Sequence, residues 1–321
     1  MKSKTLMAGG ASVLAILALT GAALIASAGP AAAQDQTINN VQANWAQARA
    51  QLNSDIEDIN GDVSLTAAAI NNSFSADITG DAIIRNAQLT TRGSNAELNS
   101  DIDDVVGDVS ATAAAIGNSA SVVVNEASSY NSVANYQRAI GNFNADLNVG
   151  VDDIAGDVSA TAAAIGNSLS VTAGGDDLNL SNQQFFRGDA VAELNGHIED
   201  VNGEVSLTAA AIANSASYEI EAENWARLNN VQTTNIDPRA YSNIGVDDVA
   251  GDVTSTTAAI SNSLSVSTLP ATADIEINSR QLNNAYTGAV ANATISDIAG
   301  DVSTTAAAIG NSVSVSSITD F

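Results

Sequence analysis

From Leu98 to Val122 the chain reads LNSDIDDVVGDVSATAAAIGNSASV, and apolar and polar positions alternate along it with a period of two. Leu98, Ser100 and Ile102 share one face, and Val109, Ala111, Ala113 and Ala115 share another. Ile116, Asn118, Ala120 and Val122 then continue in the opposite phase. Such alternation predicts β-strands. The phase changes at Val105–Gly107 and Ala115–Ile116 predict sharp bends between short strands, at which Gly107 and Gly117 can take backbone angles that other residues resist. Ser168-Leu169-Ser170-Val171 and Ser263-Leu264-Ser265-Val266 repeat the alternation and strengthen the strand reading.

Helix is the alternative for the middle of the motif. Asp157 to Gly166 offers a cap residue, an Ala-rich run and a closing Gly, with Val158, Ala162 and Ile165 on one helical face. Thr and Ser among the alanines weigh against it, as does a length of about two and a half turns, because so short a helix needs strong packing.

The motif occurs six times. Its copies centre on Gly61, Gly107, Gly156, Gly203, Gly251 and Gly300, spaced 46, 49, 47, 48 and 49 residues apart. Eleven residues after each glycine comes an Asn-Ser pair, beginning at Asn72, Asn118, Asn167, Asn214, Asn262 and Asn311. Constant spacing within a motif and variable spacing between motifs mark each copy as one structural unit joined by tolerant loops. The predicted fold is therefore all-β: an elongated, β-solenoid-like array of six repeats of roughly 48 residues, or, in the alternative, strand repeats with short Ala-rich helices. The array runs over 55–321, with motif cores at about 55–78, 101–124, 150–173, 197–220, 245–268 and 294–317. Residues 34–54, rich in Asn and Gln and carrying Trp45, form a leader that caps it. The twelve repeated glycines and asparagines are read as structural turn positions, and the asparagines, if copies stack, as a hydrogen-bonded ladder.

The segments between cores pair Asn and Gln with an aromatic: Trp45, Tyr136, Phe185-Phe186, Trp225 and Tyr286. These rings close the wall or cover an edge, or else form a row on which sugar rings stack. Pro238 and Pro270 mark loops or strand starts.

Composition narrows the picture. Only 4% of residues are aromatic, so a narrow interior of small side chains replaces one thick core. Lys2 and Lys4, an apolar run and Ala31-Ala32-Ala33 predict a signal peptide over 1–33. Its removal leaves eight Arg against 36 acids, a net charge of -28. That balance argues against nucleic acid and anionic lipid surfaces as partners, and favours solubility outside the cell, cation binding or contact with a basic partner. Without cysteine, an exported chain of short units must hold together by pairing and stacking.

Acidic residues recur at the bend as Asp55, Glu57, Asp58 and Asp62; Asp101, Asp103, Asp104 and Asp108; Asp152, Asp153 and Asp157; Glu199, Asp200 and Glu204; Asp247, Asp248 and Asp252; and Asp297 and Asp301. Stacked like charges repel by about 1 kcal/mol per pair at 4 Å even in bulk water, so this edge faces solvent or holds cations. Weak calcium binding at Asp101, Asp103, Asp104 and Asp108 and their equivalents is the candidate cofactor site, since calcium takes hard oxygen ligands. No catalytic set is visible. His197 stands where other copies have Gly or Asp, no serine lies in a nucleophile elbow, and carboxylate pairs in every copy fit a structural element better than one active site.

The Ala-Ile-Gly-Asn-Ser-x-Ser-Val pattern, its Asn/Gln-flavoured spacers and the export signal make the chain resemble surface anchor and fibre proteins of alphaproteobacteria, the holdfast-anchoring type that works beside curli-type secretion. The stretch Gly141-Asn142-Phe143-Asn144-Ala145 is similar to a curlin unit. The resemblance implies a non-catalytic protein at the cell surface or outer membrane, or outside the cell. Its partners would be other surface or fibre proteins and extracellular polysaccharide, with self-association. Two other classes remain open: an outer-membrane β-barrel, suggested by alternating strands and a terminal Phe321, and a polysaccharide-active enzyme on a parallel β-helix.

Overall fold

The computed structural model describes residues 36–125, 130–269 and 274–317, which form sixteen strands and no helix. The signal-peptide reading of residues 1–33 and the reading of Pro270 lie outside the described residues. With strands numbered in chain order, sheet 1 stacks β2 (Ala48–Ile59), β5 (Ser94–Val105), β8 (Phe143–Ile154), β10 (Ala190–Ile198), β12 (Pro238–Val246) and β15 (Gly288–Ile295). Sheet 2 stacks β3 (Val63–Thr79), β6 (Val109–Asn125), the first part of β9 (Val158–Arg187), the first part of β11 (Val205–Thr234), β13 (Val253–Thr268) and β16 (Val302–Ser317). Sheet 3 stacks β1 (Gln36–Asn44), β4 (Ala82–Thr90), β7 (Tyr130–Ile140), the later parts of β9 and β11, and β14 (Asp274–Asn283).

Each coil of the solenoid runs through sheet 3, then sheet 1, then sheet 2, and every ladder pairing is parallel. Equivalent residues of successive repeats sit side by side, as in Ile116 beside Ile165 and Ile165 beside Ile212. The leader is thus built into the first coil as β1 and the start of β2. At about 4.8 Å per strand, six coils span about 24 Å along the stack, whereas the 17 residues of β6 alone reach up to about 56 Å across it. Length along the axis comes only from adding coils. Outer-membrane barrels are antiparallel, so the described residues do not form one.

The interior has two lobes. Leu98, Leu147 and Leu194 from sheet 1 pack on Val109, Ala113 and Ala115 and their equivalents from sheet 2. Ile84, Leu178 and Leu228 from sheet 3 pack on Val122, Leu169 and Val171 from the later part of sheet 2. Small residues on sheet 2 face large ones on sheet 1, which lets the layers interdigitate. The Ala run is strand and not helix: Ala162 and Ala164 bury one face and Ala163 the other. A parallel strand covered on both sides reads as a continuous apolar run, which is why a helical face could be drawn through it.

The predicted phase change after Ala115 exists, but within a continuous strand. In the first coil Asn71 Nδ2 donates to the Arg92 carbonyl at 2.9 Å, and its neighbour Asn72 donates to the Leu89 carbonyl at 3.0 Å. Two consecutive side chains therefore point inward, and the first of them is skipped in the pairing at every level, from Asn71 to Gly117 and Gly166. Gly117 is needed for closeness: an added Cβ would lie 2.5 Å from the Gly166 carbonyl oxygen and 2.8 Å from the Phe143 ring. Neither Gly107 nor Gly117 has a positive φ.

Candidate functional site

The acidic bend joins sheet 1 to sheet 2. Its left-handed residue is an aspartate, not the glycine: Asp58, Asp104, Asp153, Asp200, Asp248 and Asp297 have φ of 57, 53, 51, 52, 49 and 51°. Asp tolerates this region better than most residues because its short polar side chain bonds locally. Gly107 and its equivalents serve contact between coils. A Cβ on Gly156 would sit 2.5 Å from the Gly107 carbonyl oxygen and 2.5 Å from Asp108 Oδ1. Gly61, in the first coil, has nothing within 4 Å.

The next acid in the bend closes the stack. The Asp108 backbone N–H donates to Asp62 Oδ1 at 3.1 Å, Asp157 N–H to Asp108 Oδ1 at 3.0 Å, Glu204 N–H to Asp157 Oδ1 at 2.8 Å, and Asp301 N–H to Asp252 Oδ1 at 2.8 Å. Aspartate is short enough to reach one coil along. Asp103, Asp104 and their equivalents are left as an exposed column of like charge. The Asp104 carboxyl is pushed above the ordinary carboxylate value, first by the charge of Asp103 and then by Asp153. Burial, followed by a hydrogen bond and charge from Asp248, raises that of Asp200. Among the described residues no three acidic or histidine side chains converge as a metal-holding group. Asp101 lies instead over Gly150. His197 sits between Gly150 and Gly245 on the outer face of sheet 1, 3.6 Å from Glu199.

The repeated Asn does not sit at a turn. Asn72, Asn118, Asn167, Asn214, Asn262 and Asn311 lie inside sheet 2 strands at the waist between the lobes, and each donates from Nδ2 to Oδ1 of the next at 2.7, 2.8, 2.8, 2.9 and 2.7 Å. Three further amide ladders accompany it. Asn40, Asn86, Asn135, Asn182 and Asn230 donate in the same direction from the inner face of sheet 3. Gln88, Gln137, Gln184, Gln232 and Gln281 donate the opposite way, and each also reaches across the waist to a sheet 2 carbonyl, as Gln137 does to Ser168 at 2.8 Å. Asn99, Asn148, Asn195, Asn243 and Asn292 form the fourth on the outer face of sheet 1.

Most spacer aromatics face outward. Tyr136, Phe185 and Trp225 lie on the outer face of sheet 3 beside Arg85, Arg138, Arg227 and Arg280. Phe186 points the other way and is buried against Phe143, with ring centroids 5.8 Å apart. Trp45 and Tyr286 are exposed near the corner between sheets 3 and 1.

Stacked, repeated surfaces in place of a single cleft define a parallel β-solenoid whose working parts are columns of like residues and two coil ends. The sequence matches the holdfast attachment protein D (HfaD) family over residues 18–173 and 152–320, so the chain belongs to that family. It has a holdfast attachment role in cell-surface adhesion and a cell-surface or extracellular location. The two matched stretches overlap, which the internal repetition allows. No curated protein and no solved structure matches the chain. No helix among the described residues is long and apolar enough to cross a membrane.

Proposed function

We propose that the chain is a non-catalytic structural element that ties adhesive polysaccharide or fibre to the outer membrane, and that it works as a head-to-tail stack of copies. One observation carries this reading: among the described residues both end coils present strand edges equivalent to those paired in the interior. Val302, Val313 and Val315 of the last coil are about half exposed at 50, 51 and 54%, while Val253, Leu264 and Val266 one coil earlier are buried. Every interior Asn of the waist ladder accepts from the coil before and donates to the coil after, whereas among the described residues Asn72 only donates and Asn311 only accepts along the ladder. An open strand edge is a template for another chain. Sequence favours this one, because AAAIGNSVSV in β16 and AAAINNSFSA in β3 are the same motif. Partners are other surface or fibre proteins and polysaccharide, with nucleic acid disfavoured by charge.

Gly61→Ala tests the stack. The added methyl meets nothing within 4 Å among the described residues, but in a junction it would take the place that a Cβ on Gly107 would take against Gly61. The mature variant should melt as the wild type does, fail to form rods in negative-stain microscopy, and fail to stop cells lacking the chain from shedding holdfast under flow. Rods formed by the variant as readily as by the wild type would defeat the stacking mechanism, and undiminished holdfast retention without the chain would defeat the anchoring role.

A further inference from the structure

The arginines of this acidic protein are segregated. Arg49, Arg227 and Arg239 each lie beside an acid, at 3.6 Å from Glu97, 3.6 Å from Glu276 and 2.8 Å from Asp237. Among the described residues Arg85, Arg92, Arg138, Arg187 and Arg280 make no such pair. Four of these five lie on the outer face of sheet 3 or its rim. There, three adjacent columns of outward residues run through all six coils, from Asn39, Val41 and Ala43 to Asn278, Arg280 and Leu282, without one Asp or Glu. In a chain with 36 acids, that is the surface an anion can approach.

Its other side chains specify the anion further. Tyr136 is 43% exposed, and Phe185 carries the Arg138 guanidinium 5.9 Å from its ring centroid. The Arg138 Nε is shielded from water and has no hydrogen-bond partner. Asn39, Gln183, Asn229 and Asn278 add donors and acceptors suited to hydroxyl groups among small and aliphatic side chains. Arg85, Arg138, Arg187 and Arg280 occupy the second, third, fourth and sixth coils, a track about 19 Å long with roughly one charge per coil. Double-stranded DNA, with one charge per about 1.7 Å, is far denser and would be repelled by the surrounding acids. We infer that the outer face of sheet 3 binds an extended acidic polysaccharide along the stack axis, with the arginines pairing to carboxylates and the exposed rings stacking on sugar faces. This deepens the anchoring reading and rests on it for its biological setting, not for its chemistry.

The test uses the mature chain and polygalacturonate as probe, with dextran, chitosan and phosphatidylglycerol vesicles in parallel. A double variant, R85Q/R138Q, is compared with R49Q/R239Q, both of sheet 1, which changes net charge equally. Polygalacturonate should bind, more weakly as salt rises, and the patch variant should lose about tenfold or more in affinity while the control stays within about twofold. Equal losses in both variants, equal binding of dextran, or preference for vesicles overturns the inference, as does sheet 3 pairing copies side by side in light scattering. Binding that persists while cells without the chain retain holdfast normally would sink the anchoring role and leave this site standing. Restored attachment by a patch variant that binds polygalacturonate as the wild type does would do the reverse.

Discussion

Asn118 donates from Nδ2 to the Oδ1 of Asn167 at 2.8 Å, 49 residues along the chain, and both side chains are fully buried. Asn167 in turn donates to Asn214 and to the carbonyl of Phe185. A buried amide bonded on both sides holds neighbouring coils in register, because a one-residue slip would leave every rung unpaired.

Asn167→Ala should therefore be costly. It strips the acceptor from Asn118 and the donor from Asn214, and each unsatisfied buried group costs about 1–3 kcal/mol. Asn311→Ala removes one rung at an exposed end, where water replaces the partner, and should cost about 1 kcal/mol or less. Urea unfolding of the two variants checks the contrast; equal losses would mean that the ladder contributes nothing beyond local packing.

Glycine in the acidic bend gives a second contrast. Gly156→Ala forces a methyl into the backbone of the coil beside it and should destabilise by about 1–3 kcal/mol or more, as overpacking does. Gly61→Ala should leave the melting temperature of the isolated chain unchanged. A φ-based role would predict similar losses at both, so thermal unfolding separates contact from conformation.

Much of this was legible in the sequence, for physical reasons. Parallel stacking places equivalents side by side, so a period of 46 to 49 residues in sequence becomes a period of one strand in space. The Asn118 ladder follows once stacking is assumed. Two of the other three carry a regular signal that the sequence reading does not use: Asn40-x-Gln42, Asn86-x-Gln88, Asn135-x-Gln137, Asn182-x-Gln184 and Asn230-x-Gln232 keep both amides on one inward face. The residue between them varies among Val, Ala, Tyr and Gln, because it faces outward, and that variation hides the triplet. The waist could not be located either. Gly117-Asn118-Ser119 has the composition of a turn, and only the opposing Phe143 and Thr90 show that the chain passes through it as strand. The arginine track is spread over four repeats, one residue in each, and becomes a surface only after the coils are stacked.

Calcium offers a sharper test of the bend than charge alone. Asp62, Asp108, Asp157 and Asp252 already accept backbone N–H groups, and the remaining acids form an open column without a closed oxygen cage. Cations should then act by screening. Millimolar calcium should raise the melting temperature no more than magnesium at equal ionic strength. A calcium-specific rise, abolished by Asp103→Asn and Asp104→Asn together, would establish the site that the sequence suggests.

The acids also set the direction of pH dependence. Asp146, on the outer face of sheet 1, is pushed above the ordinary carboxylate value of 3.8, first by burial and then by Glu193 and Glu97 in the coils on either side. Asp104 and Asp200 move the same way. A carboxyl whose folded pKa lies above its unfolded one binds its proton more tightly when folded, so its contribution is fully present below 3.8 and is lost as pH rises through the folded value. Most acid-labile proteins lean the other way, through carboxylates stabilised in the fold. Acidifying this chain from neutral pH toward the unfolded value should raise its melting temperature, and Asp146→Asn should raise it at pH 7 while narrowing the difference between the two ends of that range. Calorimetry across the range decides; a melting temperature that falls steadily on acidification would show that the carboxylates accepting backbone N–H groups outweigh the repelling columns.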